Sequence, residues 1–330
     1  MLKQISGDIR KIFGAYEKDL TSMEYSLREL FASNVFLIPL IGHYLIEGGG
    51  KRMRPLFLLI SARLAGYEGG SHISLSSVIE SIHTASLLHD DVVDGADVRR
   101  GRAAAHVTWG NQVVVLVGDF LYANALRVAV SCGDIRIVGA LSQAVTSMSE
   151  GELLQLEKSG DVNITEGDYI KIISSKTGVL ISTACRIGGL LGGVPPEQEE
   201  ALARFGLKAG IAFQMADDIL DYVAGQENGF GKKLGKDLEE GKITLPLIYL
   251  LRQASVEESA EIKTILEGSP SPRGLDRIRE LFKKYDAVGL ALEKAREFLN
   301  EAKAETAVLR DCPERQELLT LADYALQREF

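Results

Sequence analysis

Apolar residues recur at three- and four-residue intervals along most of this chain, the period of a helix with one buried face. In "LSSVIESIHTASLLHD" the positions Ile79, Ile82, Ala85 or Ser86, and Leu87 keep that spacing. The same rhythm runs through "VFLIPLIGHYLI", "LFLLISARLAG", "QVVVLVGDFLYANALRVAV", "ALSQAVTSMSEGELLQLEK", "YIKIISSKTGVLISTACRIGGLLGG" and "EEALARFGLKAGIAFQMADDILDYVAG". Several of these segments are rich in small residues and nearly apolar all round, as central helices of a large bundle are. Strand-like alternation is scarce. The punctuation agrees with helices: "IEGGGKRMRP" closes one and opens another with Pro55 in its first turn, and Thr165 in "DVNITEGDY" stands as a cap before an acidic first turn. "AGQENGFGKKLGKDLEEGKITLP", rich in glycine and lysine, reads as a loop able to close over a ligand, and "EGSPSPRG" as an exterior loop. With no repeat or linker in sight, the expectation is one all-α helical domain over residues 1–330.

Composition adds bounds. Of 330 residues 46% are hydrophobic and 25% charged, enough for a sizeable core with an ordinary soluble surface. A net charge of −9 argues against nucleic acid or an anionic membrane as the main partner. Cys132, Cys185 and Cys312 are widely spaced and odd in number, which predicts reduced thiols in a cytoplasmic protein. The amino-terminal stretch has charges throughout and no apolar run of the secretory kind. The two longest apolar stretches are interrupted by Asp119 and Arg127 and by Arg186, so buried helices are expected and no membrane anchor.

The chemistry lies in "LLHDDVVDGADVRRGRAAAH" and "FQMADDILDY". Asp90, Asp91 and Asp94 share a D-D-x-x-D spacing with Asp217, Asp218 and Asp221. On a helix, residues four apart share a face, so each motif aims acids in one direction. One such cluster is readily a solvated face; two, each embedded in an apolar helix, are not so easily dismissed. Carboxylates packed together need a counter-charge or they take up protons. Oxygen donors without nearby cysteines or paired histidines favour a hard cation, Mg²⁺ before Zn²⁺. Arg99 and Arg100, the group Lys51, Arg52 and Arg54, and the lysines Lys232, Lys233, Lys236 and Lys242 offer guanidinium forks and ammonium charges suited to phosphate. Two modes of holding an anion are therefore expected, one through metal and one through direct contact. "EGGGKRMRP" is no Walker loop, since Leu45 stands where the first glycine belongs and Arg52 follows Lys51. No Ser/His/Asp or Cys/His constellation is evident.

In order, "GGGKRMRP", "SIHTASLLHDD", the arginines after it, "SKTG", "FQMADD" and "GKKLGKDLEEGK" resemble the trans-type isoprenyl diphosphate synthases, the polyprenyl synthetase family, and within it the long-chain bacterial members. The resemblance implies an isoprenoid-synthase helical bundle with a central apolar cavity. It implies a prenyltransferase that adds isopentenyl diphosphate repeatedly to an allylic diphosphate such as farnesyl diphosphate. The implied product is a long all-trans polyprenyl diphosphate, octaprenyl-like, for quinone side chains. By resemblance Asp90, Asp91, Asp94, Asp217, Asp218 and Asp221 bind three Mg²⁺ ions bridging the allylic diphosphate. Arg99, Lys176, Lys232 and Lys242 match groups that hold that diphosphate, with Lys233 and Lys236 as alternatives to Lys232. Lys51, Arg54, His83 and Arg100 match the isopentenyl diphosphate pocket, and Thr177 and Gln214 match polar groups beside the reacting carbons. Ala85 and Ser86, both small where short-chain enzymes often carry aromatics, imply an open floor and a long product, with a stop nearer Ile79, Ile82 or Leu126. A homodimer is implied as well. The rivals are a shorter-chain geranylgeranyl-type synthase, a non-catalytic subunit of a hetero-oligomeric synthase, and a terpene cyclase, whose second motif is usually of another type.

Overall fold

A computed structural model describes residues 7–223, 241–266, 272–324 and 326. The described chain is almost wholly helical, as the spacing predicts. In order it runs α1 (Gly7–Ala15), α2 (Glu17–Glu29), α3 (Leu37–Glu47), α4 (Met53–Leu64), α5 (Ser71–Val93), a hairpin of β1 (Val98–Arg99) and β2 (Arg102–Ala103), α6 (Ala105–Trp109), α7 (Asn111–Val130), α8 (Ile135–Glu157), α9 (Glu166–Ile173), a π-helical turn (Ser174–Gly178), α10 (Val179–Gly192) and α11 (Pro196–Val223). After the glycine- and lysine-rich segment come α12 (Leu245–Gln253), α13 (Val256–Leu266), α14 (Pro272–Tyr285), α15 (Ala287–Glu305) and α16 (Pro313–Asp323). Most of that segment, including Lys232, Lys233 and Lys236, lies outside the described residues, as does part of "EGSPSPRG".

Contacts group the chain into two compact units. The first comprises 1–145, 180–206 and 306–321, and the second 146–179, 207–305 and 322–330. In the first unit α5 is the axis, packing along α7 and against α2 and α4. It buries Leu75, Val78, Ile79, Ile82, Ala85 and Leu88, and each large aliphatic side chain taken from water contributes about 1.5–3 kcal/mol. One core cluster joins Ala85 and Leu88 to Met23, Leu27 and Phe31, to Ile41 of α3, and to Val114, Val117 and Leu121 of α7. By length and composition alone α7 could cross a membrane; here those three side chains and Ala125 are buried.

The second unit is built around the last turns of α11. Ile211, Met215, Ile219 and Tyr222 pack with Ile172 and Ile173 of α9 and with Leu245, Leu247 and Ile248 of α12. Ala287, Ala291 and Ala295, one helical turn apart on α15, belong to the same core, and small residues there let helices approach closely. Thr165 caps α9 as expected: its hydroxyl accepts from the Asp168 N–H at 3.1 Å and the Asp168 carboxylate accepts from the Thr165 N–H at 3.1 Å.

Candidate active site

Both aspartate motifs lie at helix C-terminal ends. Asp90 and Asp91 occupy the last turn of α5, with Asp94 as its cap, and Asp217, Asp218 and Asp221 fall in the last two turns of α11. The helix macrodipole disfavours negative charge there, so helix stability alone does not account for these acids.

The two motifs are arranged alike. In each, the first and last aspartates are four residues apart and partly exposed, while the middle one is buried, Asp91 at 4% exposure and Asp218 at 8%. The buried carboxylates are held by donors. Asp91 accepts from Arg99 Nε at 2.8 Å and also from Arg99 Nη2. Asp218 accepts from the Tyr169 hydroxyl at 2.6 Å and from Gln214 Nε2 at 2.8 Å. Gln214 Oε1 in turn accepts from the Thr177 hydroxyl at 2.8 Å, so a chain of hydrogen bonds fixes the amide.

Thr177 and Lys176 sit in the π-helical turn, a local widening that frequently marks functional sites. Gly151 of α8 makes the close approach possible, because a Cβ there would meet Ser175 Cβ at 2.7 Å and the Lys176 nitrogen at 3.1 Å. From the same helix Glu152 pairs with Lys176 Nζ at 2.6 Å. Lys171 is exposed, and Lys242 is half-buried just ahead of α12.

In the first unit two basic segments meet. Gly48–Gly50 ends α3, with Gly49 at φ +70°, and Arg52 enters α4 in the left-handed region at φ 51°. Arg99 and Arg100 are carried by the β hairpin, whose two-residue turn places Arg100 at φ 52° and Gly101 at φ 75°, the signs of a type I′ turn. A Cβ on Gly50 would lie 3.0 Å from Arg52 Nη1 and 3.2 and 3.3 Å from Arg100 Nη1 and Nη2. Glycine there lets both guanidinium groups close on the backbone. Arg52 is itself 9% exposed and bonded to Glu80 at 2.7 Å and Glu24 at 3.1 Å. It therefore serves as a buried strut, unlike exposed Lys51 beside it.

Arg54 Nη1 lies 3.1 Å from His83 Nε2. Burial, then the charges of Arg54, Arg100, Arg99 and Arg52, lowers the His83 pKa well below its ordinary 6.5. The ring is thus neutral and accepts from Arg54. Burial also lowers the Arg100 pKa, with Arg52 and Arg99 adding to that and Glu80 and Asp91 opposing it. Arg52 loses to burial but gains more from Glu80 and Glu24, so its pKa is raised. A cleft of about 620 Å³, measured with its solvent-open mouth, is lined by Arg52, Arg99, Arg100, Arg102, Asp91 and Tyr44 among others.

The His83 shift has a stability consequence. Below pH 6.5 the unfolded chain takes a proton that the folded ring refuses, so this contribution is full above 6.5 and is lost as pH falls beneath it. In thermal melts, His83→Gln is expected to decline less than the parent between about pH 6.5 and 5.

Ala85 and Ser86 part ways. Ser86, four residues before Asp90 and so on its face, is half-buried and its hydroxyl donates to the His83 carbonyl at 2.9 Å. Ala85 is fully buried in the core cluster with α2, α3 and α7. Ile79 and Ile82 are fully buried, and Leu126 partly so. Glu24, Glu80, Tyr44, Glu152 and Tyr169 are the site residues that sequence reading overlooks; Glu80 alone gave a signal, a solitary acid in an apolar run.

For a divalent cation the donor chemistry fits, since Asp90 and Asp94, and separately Asp217 and Asp221, present carboxylate oxygens from one helix face. Among the described residues no group of three or more Asp, Glu, His or Cys side chains is placed to hold a metal ion by itself. Mg²⁺ does not need one, because it binds through one or two carboxylates together with waters and substrate phosphates.

Known proteins resemble this chain over nearly all its length. The family model for polyprenyl synthetase matches residues 37–284. The octaprenyl diphosphate synthase of Escherichia coli K12 is 40% identical over 322 residues, covering 98% of this chain and 99% of that protein. A decaprenyl diphosphate synthase structure from Rhodobacter capsulatus superposes with a TM-score of 0.92 at 38% identity, covering 97% and 98% of the two chains. A polyprenyl synthase from Caulobacter crescentus CB15, complexed with calcium and isoprenyl diphosphate, gives 0.90 at 37% identity with 99% of each chain covered.

Proposed function

We propose, on the premise that the chain belongs to the polyprenyl synthetase family, that it builds a long all-trans polyprenyl diphosphate. It is a polyprenyl diphosphate synthase, a prenyltransferase. The finer reading is repeated addition of isopentenyl diphosphate to farnesyl diphosphate, with an octaprenyl-like product of the kind found on quinones. The observation that supports diphosphate transfer is the pair of motifs, each presenting two aspartates four residues apart at the helix end least favourable to charge.

The residue roles rest on the family resemblance together with the chemistry of each side chain. Asp90 and Asp94, and Asp217 and Asp221, would hold Mg²⁺, three ions by family resemblance, while buried Asp91 and Asp218 lock each motif to its donors. When bound, the metal supplies positive charge that stabilises the departing diphosphate. Arg99, Lys176 and Lys242, with Lys232 outside the described residues, neutralise the same anion directly. Lys51, Arg54 and Arg100 hold isopentenyl diphosphate, and neutral His83 keeps Arg54 in place by accepting its hydrogen bond. Thr177 and Gln214 set polar atoms beside the reacting carbons. The allylic C–O bond breaks, the isopentenyl double bond attacks the cation, and the proton lost from the new chain passes to the released diphosphate. No side-chain nucleophile takes part. A homodimer acting in the cytoplasm, without a stable membrane anchor, completes the reading.

Chain length is read from Ser86, small and on the face of Asp90. Ser86→Phe is expected to shorten the product by several isoprene units with the first addition retained, as seen by chromatography of the dephosphorylated products. The reading itself is tested by incubating the parent protein with farnesyl diphosphate, labelled isopentenyl diphosphate and Mg²⁺. A ladder ending at a long polyprenol supports it. A stop after one addition makes the protein a geranylgeranyl-type synthase, and no incorporation by folded protein makes it a non-catalytic subunit.

A further inference from the structure

The hairpin that carries Arg99 and Arg100 cannot hold its own shape. Its strands are two residues long, and even ordinary isolated hairpins are marginal in water. Arg100 also adopts positive φ, at a cost that glycine would not incur. The position of both guanidinium groups must then be set by whatever the hairpin docks on. Asp91, through Arg99, is one such anchor. A second stands on α3, at Tyr44, and it grips the other strand three ways. The Tyr44 hydroxyl donates to the Ala103 carbonyl at 2.7 Å, and the Tyr44 carbonyl accepts from Arg102 Nη1 at 3.2 Å. The Arg102 guanidinium carbon lies 4.2 Å from the centroid of the Tyr44 ring, a cation–π contact. The ring is braced edge-on by Trp109 at 5.0 Å between centroids. Glu47, one turn further along α3, stands 3.7 Å from Arg102. Four residues after Tyr44 the helix gives way to Gly48–Gly50 and Lys51. One short helix thus ties the glycine-rich basic loop to the arginine hairpin.

We propose that Tyr44 is a positioning residue for diphosphate binding, holding the Arg99–Arg100 hairpin in register with the Gly48–Lys51 loop. Tyr44 is assigned no bond to either diphosphate; it acts through Ala103 and Arg102 on the two arginines. The inference rests on the diphosphate roles proposed above for Arg99, Arg100 and Lys51.

The test is Tyr44→Phe, which removes the hydroxyl bond to Ala103 and keeps the ring under Arg102. Losing one hydrogen bond of this kind is expected to raise KM for isopentenyl diphosphate about three- to tenfold, with KM for the allylic diphosphate rising in step and kcat within about twofold of the parent. Tyr44→Leu, which also removes the ring, is expected to raise KM further. Binding of inorganic pyrophosphate, measured by calorimetry, is expected to weaken in the same order, whether or not the protein turns over. Unchanged KM and unchanged pyrophosphate affinity in both variants would overturn the proposal. So would a loss of kcat and of melting temperature with KM unmoved, the mark of a merely structural tyrosine. If the parent protein binds pyrophosphate through the hairpin but transfers no prenyl group, the proposed function fails and the role of Tyr44 stands.

Discussion

Asparagine at both Asp90 and Asp94 is expected to cut prenyl transfer by about a thousandfold or more, because the departing diphosphate loses the charge that metal and carboxylates bring to it. The same double substitution is expected to leave the melting temperature unchanged or raise it. Both carboxylates are partly exposed at the C-terminal end of α5, where negative charge works against the helix dipole. A solvated acidic patch predicts the opposite on the first count, with activity untouched. Steady-state assays and thermal melts on the same preparation read out both effects. Stability gained together with activity lost is the pattern of residues kept for function.

The second large effect is on the fold. Glu80→Ala is expected to cost about 3–5 kcal/mol, the usual consequence of stripping the partner from a buried charge. Glu80 is 3% exposed and bonds Arg52 at 2.7 Å. Glu24, the other partner of Arg52, is itself partly exposed and bonds only Nε, so it compensates poorly. Glu80→Gln keeps the shape and a hydrogen-bond acceptor and is expected to cost less than Glu80→Ala. Urea unfolding of the parent and both variants measures the difference, and equal midpoints would contradict it.

These two expectations differ in how far the sequence alone leads to them. The aspartate spacing, the helical period and the Thr165 cap are local patterns, set by residues within a turn or two of each other, and they read directly. Glu80 is different. Its burial depends on Arg52, twenty-eight residues away in sequence, and no periodicity announces a pairing between helices. Arg52 itself reads as one more phosphate-seeking cation in "GKRMRP" and turns out to be committed to Glu24 and Glu80.

The hairpin at 98–103 was hidden for another reason. Its turn is Arg100–Gly101 rather than Asn-Gly or Asp-Gly, and strands of two residues leave no alternation to detect. Tyr44 was hidden with it, since its contacts are to that hairpin. Tyr169 opens a segment of helical apolar rhythm, and only its hydroxyl, 2.6 Å from Asp218, gives it a part in the site. Ala85 and Ser86 look equivalent as a pair of small residues before Asp90. The helix separates them, one turned into the core and one onto the face of the motif.

The central claim is that one diphosphate is held through metal at the aspartates with Arg and Lys beside it, and the other by Arg and Lys without metal. It is tested most directly by equilibrium binding of a non-ionising thiolo analogue of farnesyl diphosphate and of isopentenyl diphosphate, each with Mg²⁺ and with EDTA. EDTA is expected to weaken binding of the allylic analogue strongly and to leave isopentenyl diphosphate bound with unchanged affinity. An allylic analogue that binds equally well without metal, or isopentenyl diphosphate that requires it, would contradict the account.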